Sequence, residues 1–247
     1  MKILTDTHTH TLVSGHAYST LSENAAAAKE KGLKLLSITD HASSIPDGAH
    51  EWHFINSRIL PRVIDGVKML YGAEVNVLNE NGDVDLPESV LKTQGIVIAS
   101  FHEPCYSSDK SSDHTKTWLN VLENPYIDIL GHTGRGNYPF DFDAVAKRAR
   151  DKDVCIEVNR ATILSPKRRE VCRDIILACR RSETKITLGS DAHYHSYVGD
   201  FSDALSLLKE CDFPPELIIS RDDVSLLNHL KNKKKYFDYS FSEDGEN

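Results

Sequence analysis

Seven short apolar runs recur along the sequence, and amphipathic segments separate most of them. The runs are Ile3–Thr7, Leu33–Thr39, Met69–Val77, Ile96–Phe101, Ile127–Leu130, Val154–Val158 and Ile186–Leu188. Helical periodicity marks Glu23–Lys31, Asp113–Glu123, Phe142–Asp151, Arg168–Arg181, Phe201–Glu210 and Asp222–Lys231. Strands that alternate with helices favour a parallel sheet whose outer face is covered. The pattern therefore predicts an α/β chain with a barrel of seven or eight strands, and a doubly wound sheet is the alternative.

Length and hydropathy limit the classes of protein to which this chain can belong. The chain has 247 residues, 40% of them hydrophobic, which suits one barrel-sized domain over residues 1–247. Its N-terminus lacks the apolar segment of a signal peptide, and no apolar run approaches the roughly 18 residues that cross a bilayer. We therefore expect a cytoplasmic protein that has no membrane partner.

Charge and cysteine content exclude further classes. The formal net charge of -8 argues against a nucleic-acid-binding surface over the whole protein. The five cysteines contain no CxxC pair and are interpreted as ordinary buried thiols. The mixed charge of Lys231–Asn247 predicts a helix end and surface tail. The sequence leaves formation of a homo-oligomer open.

Histidines are unusually frequent, with 12 in the chain, and many fall at predicted strand ends. Histidine or carboxylate side chains end or follow six of the predicted strands, namely His8, His10, Asp40, His41, Glu74, His102, His132, Asp191 and His193. The carboxyl ends of parallel barrel strands converge on one rim, where active sites are built. Imidazole and carboxylate together suit zinc, iron, manganese, cobalt or nickel. The placement therefore predicts a transition-metal site at that rim.

Each of these residues also has an ordinary structural interpretation when taken alone. His102 could be a satisfied core histidine, Glu74 an ion-pair partner and Asp191 a helix cap. Spacing favours the metal site, because His8 and His10 are two apart and a strand period of two puts both on one face. The structural interpretation stands for five other histidines, namely His50, His53, His114, His195 and His229. Two of them, His53 and His195, lie near the site in sequence.

Several motifs resemble those of one family of metal-dependent enzymes. They are DTHTH at Asp6–His10, HAYSTLS from His16, ITDH at Ile38–His41, WHFINSRI from Trp52, GAEVN at Gly72–Asn76, FHEP at Phe101–Pro104, GH at Gly131–His132 and GSDAH at Gly189–His193. The chain thereby resembles the PHP (polymerase and histidinol phosphatase) family, most closely its YcdX-like phosphatases. The resemblance extends over nearly the whole chain.

This resemblance implies a distorted (β/α)7 TIM-like barrel with three divalent metal ions per chain, with zinc the first choice and manganese, iron or cobalt as alternatives. Carried over by position, the implied ligands are His8, His10, Glu74 and Asp191 for one metal, Glu74, His102 and His132 for a second, and His16, His41 and His193 for the third. Glu74 would bridge two ions. Asp6 and Asp40 flank ligand histidines and could orient their imidazoles.

The charge of such a site indicates its substrate. Three divalent ions with only two anionic ligands, Glu74 and Asp191, leave a charge of about +4, which calls for anions. Metals of this kind lower the pKa of bound water toward about 7 and so supply a hydroxide nucleophile. We therefore expect a metal-dependent phosphatase that hydrolyses phosphate esters, preferably monoesters, on a small phosphorylated substrate. Glu74 and Asp191 would act through the metals.

Two other catalytic functions have candidate residues. The leaving group needs a proton, for which His195, His53 or a metal-bound water are candidates. The phosphate could be held by Arg135 or Arg160, or by the basic run 167–169, although a solvated helix face also explains that run.

Other functions remain alternatives at this stage. An amidohydrolase-type barrel also opens with HxH, but it typically supplies a lysine after strand four, where this chain has His102. A phosphodiesterase or nuclease of the PHP family would use the same ligands on a different substrate. A non-catalytic metal-binding protein is the third alternative.

Overall fold

The computed structural model describes residues 1–109 and 112–241, and its centre is a parallel sheet curled into a nearly closed barrel. The strands are β1 Thr5–Asp6, β2 Leu35–Ile38, β3 Val63–Ile64, β4 Val67–Asn76, β5 Ile96–Ser100, β6 Ile129–Leu130, β7 Cys155–Asn159 and β8 Ile186–Gly189. The barrel strands follow the order β1-β2-β4-β5-β6-β7-β8, and β3 pairs antiparallel with β4 outside that path. The expected barrel of seven strands is confirmed.

Helices alternate with the strands. The α-helices in the described part of the chain are α1 Leu21–Glu30, α2 Glu51–Asn56, α3 Glu88–Leu91, α4 His114–Val121, α5 Phe142–Asp151, α6 Arg160–Ile163, α7 Pro166–Ser182, α8 Ser202–Glu210 and α9 Asp223–Lys233. Their apolar faces explain the packing: α5, for example, buries Val145, Ala146 and Ala149. Across residues 1–109 and 112–241, no helix has the length and apolar character needed to cross a membrane.

The barrel closes differently at its two ends. Near the carboxyl ends of the strands, Thr9 and Ala192 form a parallel bridge between the segments that follow β1 and β8. Toward the amino ends, the segment before α9 lies between β1 and β8: Thr5 Oγ1 donates to Ser220 O, and Leu188 N donates to Ser220 Oγ. An irregular segment thus completes the ring, which explains the expected distortion.

The segment 47–62 contains α2 and lines a groove described below. One region differs from the sequence-based expectations. The tail predicted over Lys231–Asn247 instead packs on the barrel as far as it is described: Lys234 and Tyr239 are buried, and Tyr239 Oη donates to Gly95 O. Residues 242–247 of that prediction lie outside the described residues.

Candidate metal centre

The segment that follows β1 presents its two histidines to the same side, as its spacing predicts. Nε2 of His8 lies 3.1 Å from Nε2 of His10. The alternating threonines hold the backbone to both neighbours: Thr7 Oγ1 donates to Leu188 O on β8, and Thr9 Oγ1 donates to Ser37 O on β2. The period-two alternation therefore fixes the backbone on both sides while it aims both imidazoles at one point.

Glu74, near the end of β4, lies at the centre of the cluster. Its carboxylate oxygens are within 3.5 Å of five imidazole nitrogens, with the shortest separations of 2.8 Å to His41 Nδ1 and to His132 Nε2. The side chain is completely buried. This one carboxylate therefore faces imidazoles from several strand ends, and the bridging role expected for it stays a prediction.

Asp191, in the segment after β8, is the second carboxylate among the predicted ligands, and it is also buried. Its Oδ1 is 3.2 Å from His10 Nε2 and 3.5 Å from His193 Nδ1. The ring of His193 lies 4.7 Å, between centroids, from that of His16. All nine predicted ligands therefore belong to one continuous cluster. Ligand atoms come within 4.8 Å of one another in three groups: His8, His10 and Asp191; His41, Glu74 and His102; and His10, His41 and His193.

These groups overlap the ligand sets implied by the family resemblance without repeating them. His10 and His41 each appear in two groups, whereas the resemblance assigns each to a single metal. His132 reaches the cluster through its contact with Glu74. His16 is the most exposed member, with 44% of its side chain accessible. The assignment of individual ligands to individual ions thus stays a prediction.

Several imidazoles are held from behind by a protein oxygen. Nδ1 of His8 is 2.7 Å from Glu157 Oε1, and Nδ1 of His102 is 2.7 Å from Asn76 Oδ1. His10 contacts Ser14 Oγ, His16 contacts Asp47 Oδ2 and His193 contacts the carbonyl oxygen of Asp191 in the same manner. Metal-binding histidines almost always have such a partner, which fixes the tautomer and the ring orientation.

The backbone is strained at two of the nine positions. His132 has φ of 29° and Asp191 has φ of 55°, both in the region that residues with a Cβ rarely adopt. Such conformations persist only where the surroundings enforce them, and they concentrate at functional sites. Gly189 has a different constraint, because a Cβ there would lie 1.9 Å from Glu157 Oε1. Only glycine lets the strand pass this close to the buried carboxylate.

Several buried nitrogen and oxygen atoms of the cluster have no hydrogen-bond partner within the protein as described. His41 Nδ1 and Glu74 Oε2 are 2.8 Å apart, yet neither makes a hydrogen bond, and His102 Nε2 and Asp191 Oδ1 also lack one despite their burial. Leaving a buried polar atom unsatisfied costs about 1–3 kcal/mol. Divalent ions would satisfy these atoms, so the residues fit a metal centre on geometry and on donor chemistry.

The protonation states of the two carboxylates and of His10 agree with this interpretation. Burial would raise the pKa of the Glu74 carboxyl, but the imidazoles of His8 and His41 outweigh burial and hold the pKa well below its usual value. His8 and His10 hold the pKa of buried Asp191 well below its usual value in the same way. Burial and the neighbouring His41 lower the pKa of His10 to about 3. Burial lowers the pKa of His8, but Glu157 and Glu74 outweigh burial and raise it well above its usual value, and Glu74 outweighs burial at His41 in the same way. The two carboxylates and His10 are thus in the forms that bind metal, whereas His8 and His41 would release a proton when metal binds.

A cavity of about 320 Å³ opens onto the cluster, and we call it the rim cavity. His16, His41 and His102 line one side, and Arg135 and Arg168 also line it. Arg135 reaches the cluster, with Nη2 3.5 Å from Asp191 Oδ2. Arg160 is engaged elsewhere: Nε donates to Asp200 Oδ2 at 2.8 Å, and its guanidinium lies over the ring of Tyr197. Two of the basic residues considered for phosphate binding are therefore in place.

His195 and His53 lie away from the rim cavity. Nδ1 of His195 is 3.2 Å from Ser19 Oγ, and its ring packs on Tyr194. His53 Nε2 is 3.3 Å from Asp40 Oδ2 and lines a separate groove of about 890 Å³ together with Trp52. The catalytic role predicted for His195 stays a prediction.

The two aspartates expected to orient imidazoles have other partners. Asp6 accepts hydrogen bonds from the backbone amides of Ser190 and Gly199, so its role is to hold the segment after β8. Asp40 accepts from Ser14 Oγ, and Ser14 in turn lies 3.2 Å from His10 Nδ1. Asp40 therefore acts on the cluster through Ser14, not by direct contact with a ligand imidazole.

Two residues that support the cluster were missed in the sequence. Glu157 accepts from the backbone amide of His132 at 2.6 Å as well as contacting His8. Its signal was a carboxylate inside the buried strand β7, where an isolated charge is costly. Asn76, which contacts His102, lies two residues after Glu74 and so on the same face of β4. The strand period could have identified it.

Comparison with known proteins gives the same family as the motifs. The model of the PHP domain matches residues 6–164. Probable phosphatases of Clostridium novyi and of Photobacterium profundum are both 44% identical to the chain. These alignments cover 96% and 95% of this chain, and 98% and 96% of the respective relatives. The chain belongs to the PHP family.

The fold of this PHP protein also occurs in solved structures. It is similar to the crystal structure of histidinol phosphate phosphatase from Lactococcus lactis complexed with zinc, L-histidinol and phosphate. The TM-score is 0.64 at 18% identity, and the alignment covers 87% of this chain and 95% of that one. Identity at this level supports the shared barrel alone.

Proposed function

We propose that this PHP protein hydrolyses small phosphate monoesters at a centre of three divalent metal ions, with zinc the first choice. The observation that carries the proposal is the buried cluster around Glu74, in which seven imidazoles and two carboxylates converge beside a cavity lined by arginines. Its relatives include proteins named probable phosphatase, and a structural neighbour was solved with zinc and phosphate. Metal-dependent hydrolysis of phosphoric esters is therefore its class of activity.

Metal ions bound at the cluster would acidify water to supply a nucleophile at neutral pH and would polarise the phosphoryl group. The protein's own groups do the positioning. Glu74 would contact two ions, since its two oxygens face different imidazoles: Oε2 faces His41, and Oε1 faces His132. Asp191 supplies the second negative charge among the proposed ligands, and Arg135 at its edge would hold a phosphate oxygen.

Charge favours monoesters over diesters. Three divalent ions and two carboxylates leave about +4, and a monoester brings about two negative charges near neutral pH whereas a diester brings one. The rim cavity, at about 320 Å³, is near the lower end of the range for small-molecule sites. An amidohydrolase centre is less consistent with the cluster, because the residue that follows β5 in contact with Glu74 is His102 and not lysine.

The test is a comparison of two related esters on the metal-loaded full chain. p-Nitrophenyl phosphate should be hydrolysed faster than bis-p-nitrophenyl phosphate. Removing metal with a chelator should abolish the activity, and adding zinc back should restore it. Faster turnover of the diester would contradict the monoester preference, and full activity after verified metal removal would contradict the metal mechanism.

A further inference from the structure

Three consecutive basic residues begin α7, and the structure gives each a different environment. Lys167 is exposed to solvent. Arg169 pairs with Glu210 on α8 at 2.5 Å. Arg168 lines the rim cavity, and among residues 1–109 and 112–241 no carboxylate lies within 4.0 Å ion-pair distance of it. A cation that faces a ligand cavity without an acidic partner is available to a ligand.

Arg168 and Arg135 occupy different parts of the cavity wall. Arg135 Nη2 is 3.5 Å from Asp191 Oδ2. It therefore belongs to the edge of the cluster. Arg168 is carried by α7, which packs tightly on the turn before Arg135: a Cβ on Gly134 would lie 2.4 Å from Cys172 Sγ, one helical turn beyond Arg168. This packing fixes α7 beside the cluster and directs a second cation into the cavity.

The part of the rim cavity wall between these groups is suited to contact the carbon skeleton of a substrate. Phe101 and Tyr138 are buried aromatic residues of the lining, and their rings lie 4.9 Å apart. Glu103 is the acidic residue among the lining, and its Oε1 accepts from Asn137 Nδ2 at 2.8 Å and from Ser108 Oγ. Glu103 is exposed at the mouth. The basic groups therefore outnumber the acidic one outside the cluster.

We propose that Arg168 binds a carboxylate on the leaving group of the substrate, so that the preferred substrates are small phosphomonoesters that also carry a carboxylate. This inference rests on the proposed phosphatase function. The phosphoryl group would lie at the cluster beside Arg135, and the carboxylate would accept the paired N–H groups of the Arg168 guanidinium. Arginine and carboxylate match in this two-bond geometry, which is both strong and directional.

Two substrates of nearly equal size test the assignment: 3-phosphoglycerate carries a carboxylate where glycerol 3-phosphate carries a hydroxymethyl group. The metal-loaded wild-type chain should show a kcat/KM for 3-phosphoglycerate about tenfold or more above that for glycerol 3-phosphate, mainly through KM. Arg168→Gln should reduce that ratio toward one. Arg168→Glu should reverse it. Lys167→Gln, which removes the same charge from the same helical turn, should keep the wild-type ratio.

Any other result would contradict the assignment of Arg168 to a substrate carboxylate. Equal losses on both substrates in Arg168→Gln would place Arg168 on the reacting phosphate, and an unchanged ratio would make it a solvated cation. A wild-type chain that hydrolyses both substrates equally would overturn the carboxylate subsite and leave the phosphatase intact. If neither these esters nor p-nitrophenyl phosphate releases phosphate, the proposed function itself fails, and the subsite fails with it.

Discussion

At the carboxyl end of the barrel, Glu74 and Asp191 are buried among imidazoles, whereas at the amino end Asp128 is buried against the ammonium group of Lys234. Lys234 Nζ lies 2.5 Å from Asp128 Oδ2, and that oxygen also accepts from Val97 N. Both side chains of this pair are completely buried. The charge at the amino end is thus neutralised by a lysine of the chain, whereas the nearest side-chain partners of the two carboxylates at the carboxyl end are imidazoles.

This difference predicts different roles for the two ends of the barrel: metal binding at the carboxyl end and stability at the amino end. A buried ion pair with its own partners needs no ligand, and loss of one partner exposes the other to the full cost of burial. The cluster at the other end has ligand atoms within 4.8 Å of one another, and among the described residues Arg135 is the one lysine or arginine within ion-pair distance of its carboxylates. Substitutions at the carboxyl end should therefore affect metal content and catalysis, and substitutions at the amino end should affect stability.

The largest effect is expected from Glu74→Gln. This substitution keeps the shape of the side chain but removes a negative charge from the centre of the cluster, so repulsion between the ions rises as their bridge weakens. Loss of a supporting residue typically costs 10–100-fold, and loss of a bridging ligand should exceed about 100-fold in kcat/KM and release at least one ion. Metal analysis and p-nitrophenyl phosphate turnover measure both effects.

The matched control is His229→Gln, a buried histidine outside the cluster that contacts Cys155 and Lys185. It should keep wild-type metal content and turnover. A folded Glu74→Gln protein with full metal content and wild-type turnover would show that Glu74 does not bridge.

Lys234→Met should lower the stability of the protein but leave its metal content and turnover unchanged. It leaves the buried Asp128 carboxylate with only the more distant ammonium group of Lys233, 3.9 Å from Oδ1, which should lower the free energy of unfolding by about 3 kcal/mol in urea denaturation. Metal content and kcat of the folded protein should not change. Lys235→Met is the control, because Lys235 is exposed, and it should have little effect on stability. Loss of metal from folded Lys234→Met would contradict the assignment of stability to the amino end and of metal binding to the carboxyl end.

A smaller effect at the carboxyl end is expected from Glu157→Gln. An amide cannot accept hydrogen bonds through both of its polar atoms, so it cannot hold the His8 imidazole and the His132 backbone amide as the carboxylate does. Metal affinity should fall about 10–100-fold, as measured by competition with a chromophoric zinc chelator. Glu170→Gln, at an exposed position of α7, provides the matched control. Unchanged affinity would reduce Glu157 to a packing role.

The smallest effect is expected from His195→Gln. If His195 protonates the leaving group, the loss of kcat should be greater for glycerol 3-phosphate than for p-nitrophenyl phosphate, whose leaving group needs less protonation. The loss should remain below the roughly 100-fold typical of a well-placed general acid, because His195 lies beside Ser19 and outside the rim cavity. Equal losses on both substrates would exclude proton donation.

Much of the carboxyl end could be predicted because its signals are local. Six of the predicted strands end in or lead to a ligand-type residue, and parallel strands bring those ends together without knowledge of any side-chain contact. The supporting residues were harder to predict, because Glu157 contacts His8 across 149 positions of sequence. A carboxylate inside a strand indicates burial with a partner but does not identify that partner.

The amino end was less predictable for a different reason. The basic run 231–235 has the composition of a solvated tail, yet Lys234 is buried because Asp128, more than 100 residues away, neutralises it. Likewise, nothing local in residues 218–221 indicates that this segment fills the gap between β1 and β8. Such contacts depend on tertiary packing, which overrides local composition.

The central claim is that the nine clustered residues form one centre of three divalent ions, and its most direct test is the metal content of the full chain. The apo protein should be titrated with zinc and the bound metal per chain measured by elemental analysis after removal of excess ion. We expect a value close to three, and Glu74→Gln should bind fewer. Fewer than two ions per wild-type chain, in a protein that is folded and was saturated with zinc, would contradict the account.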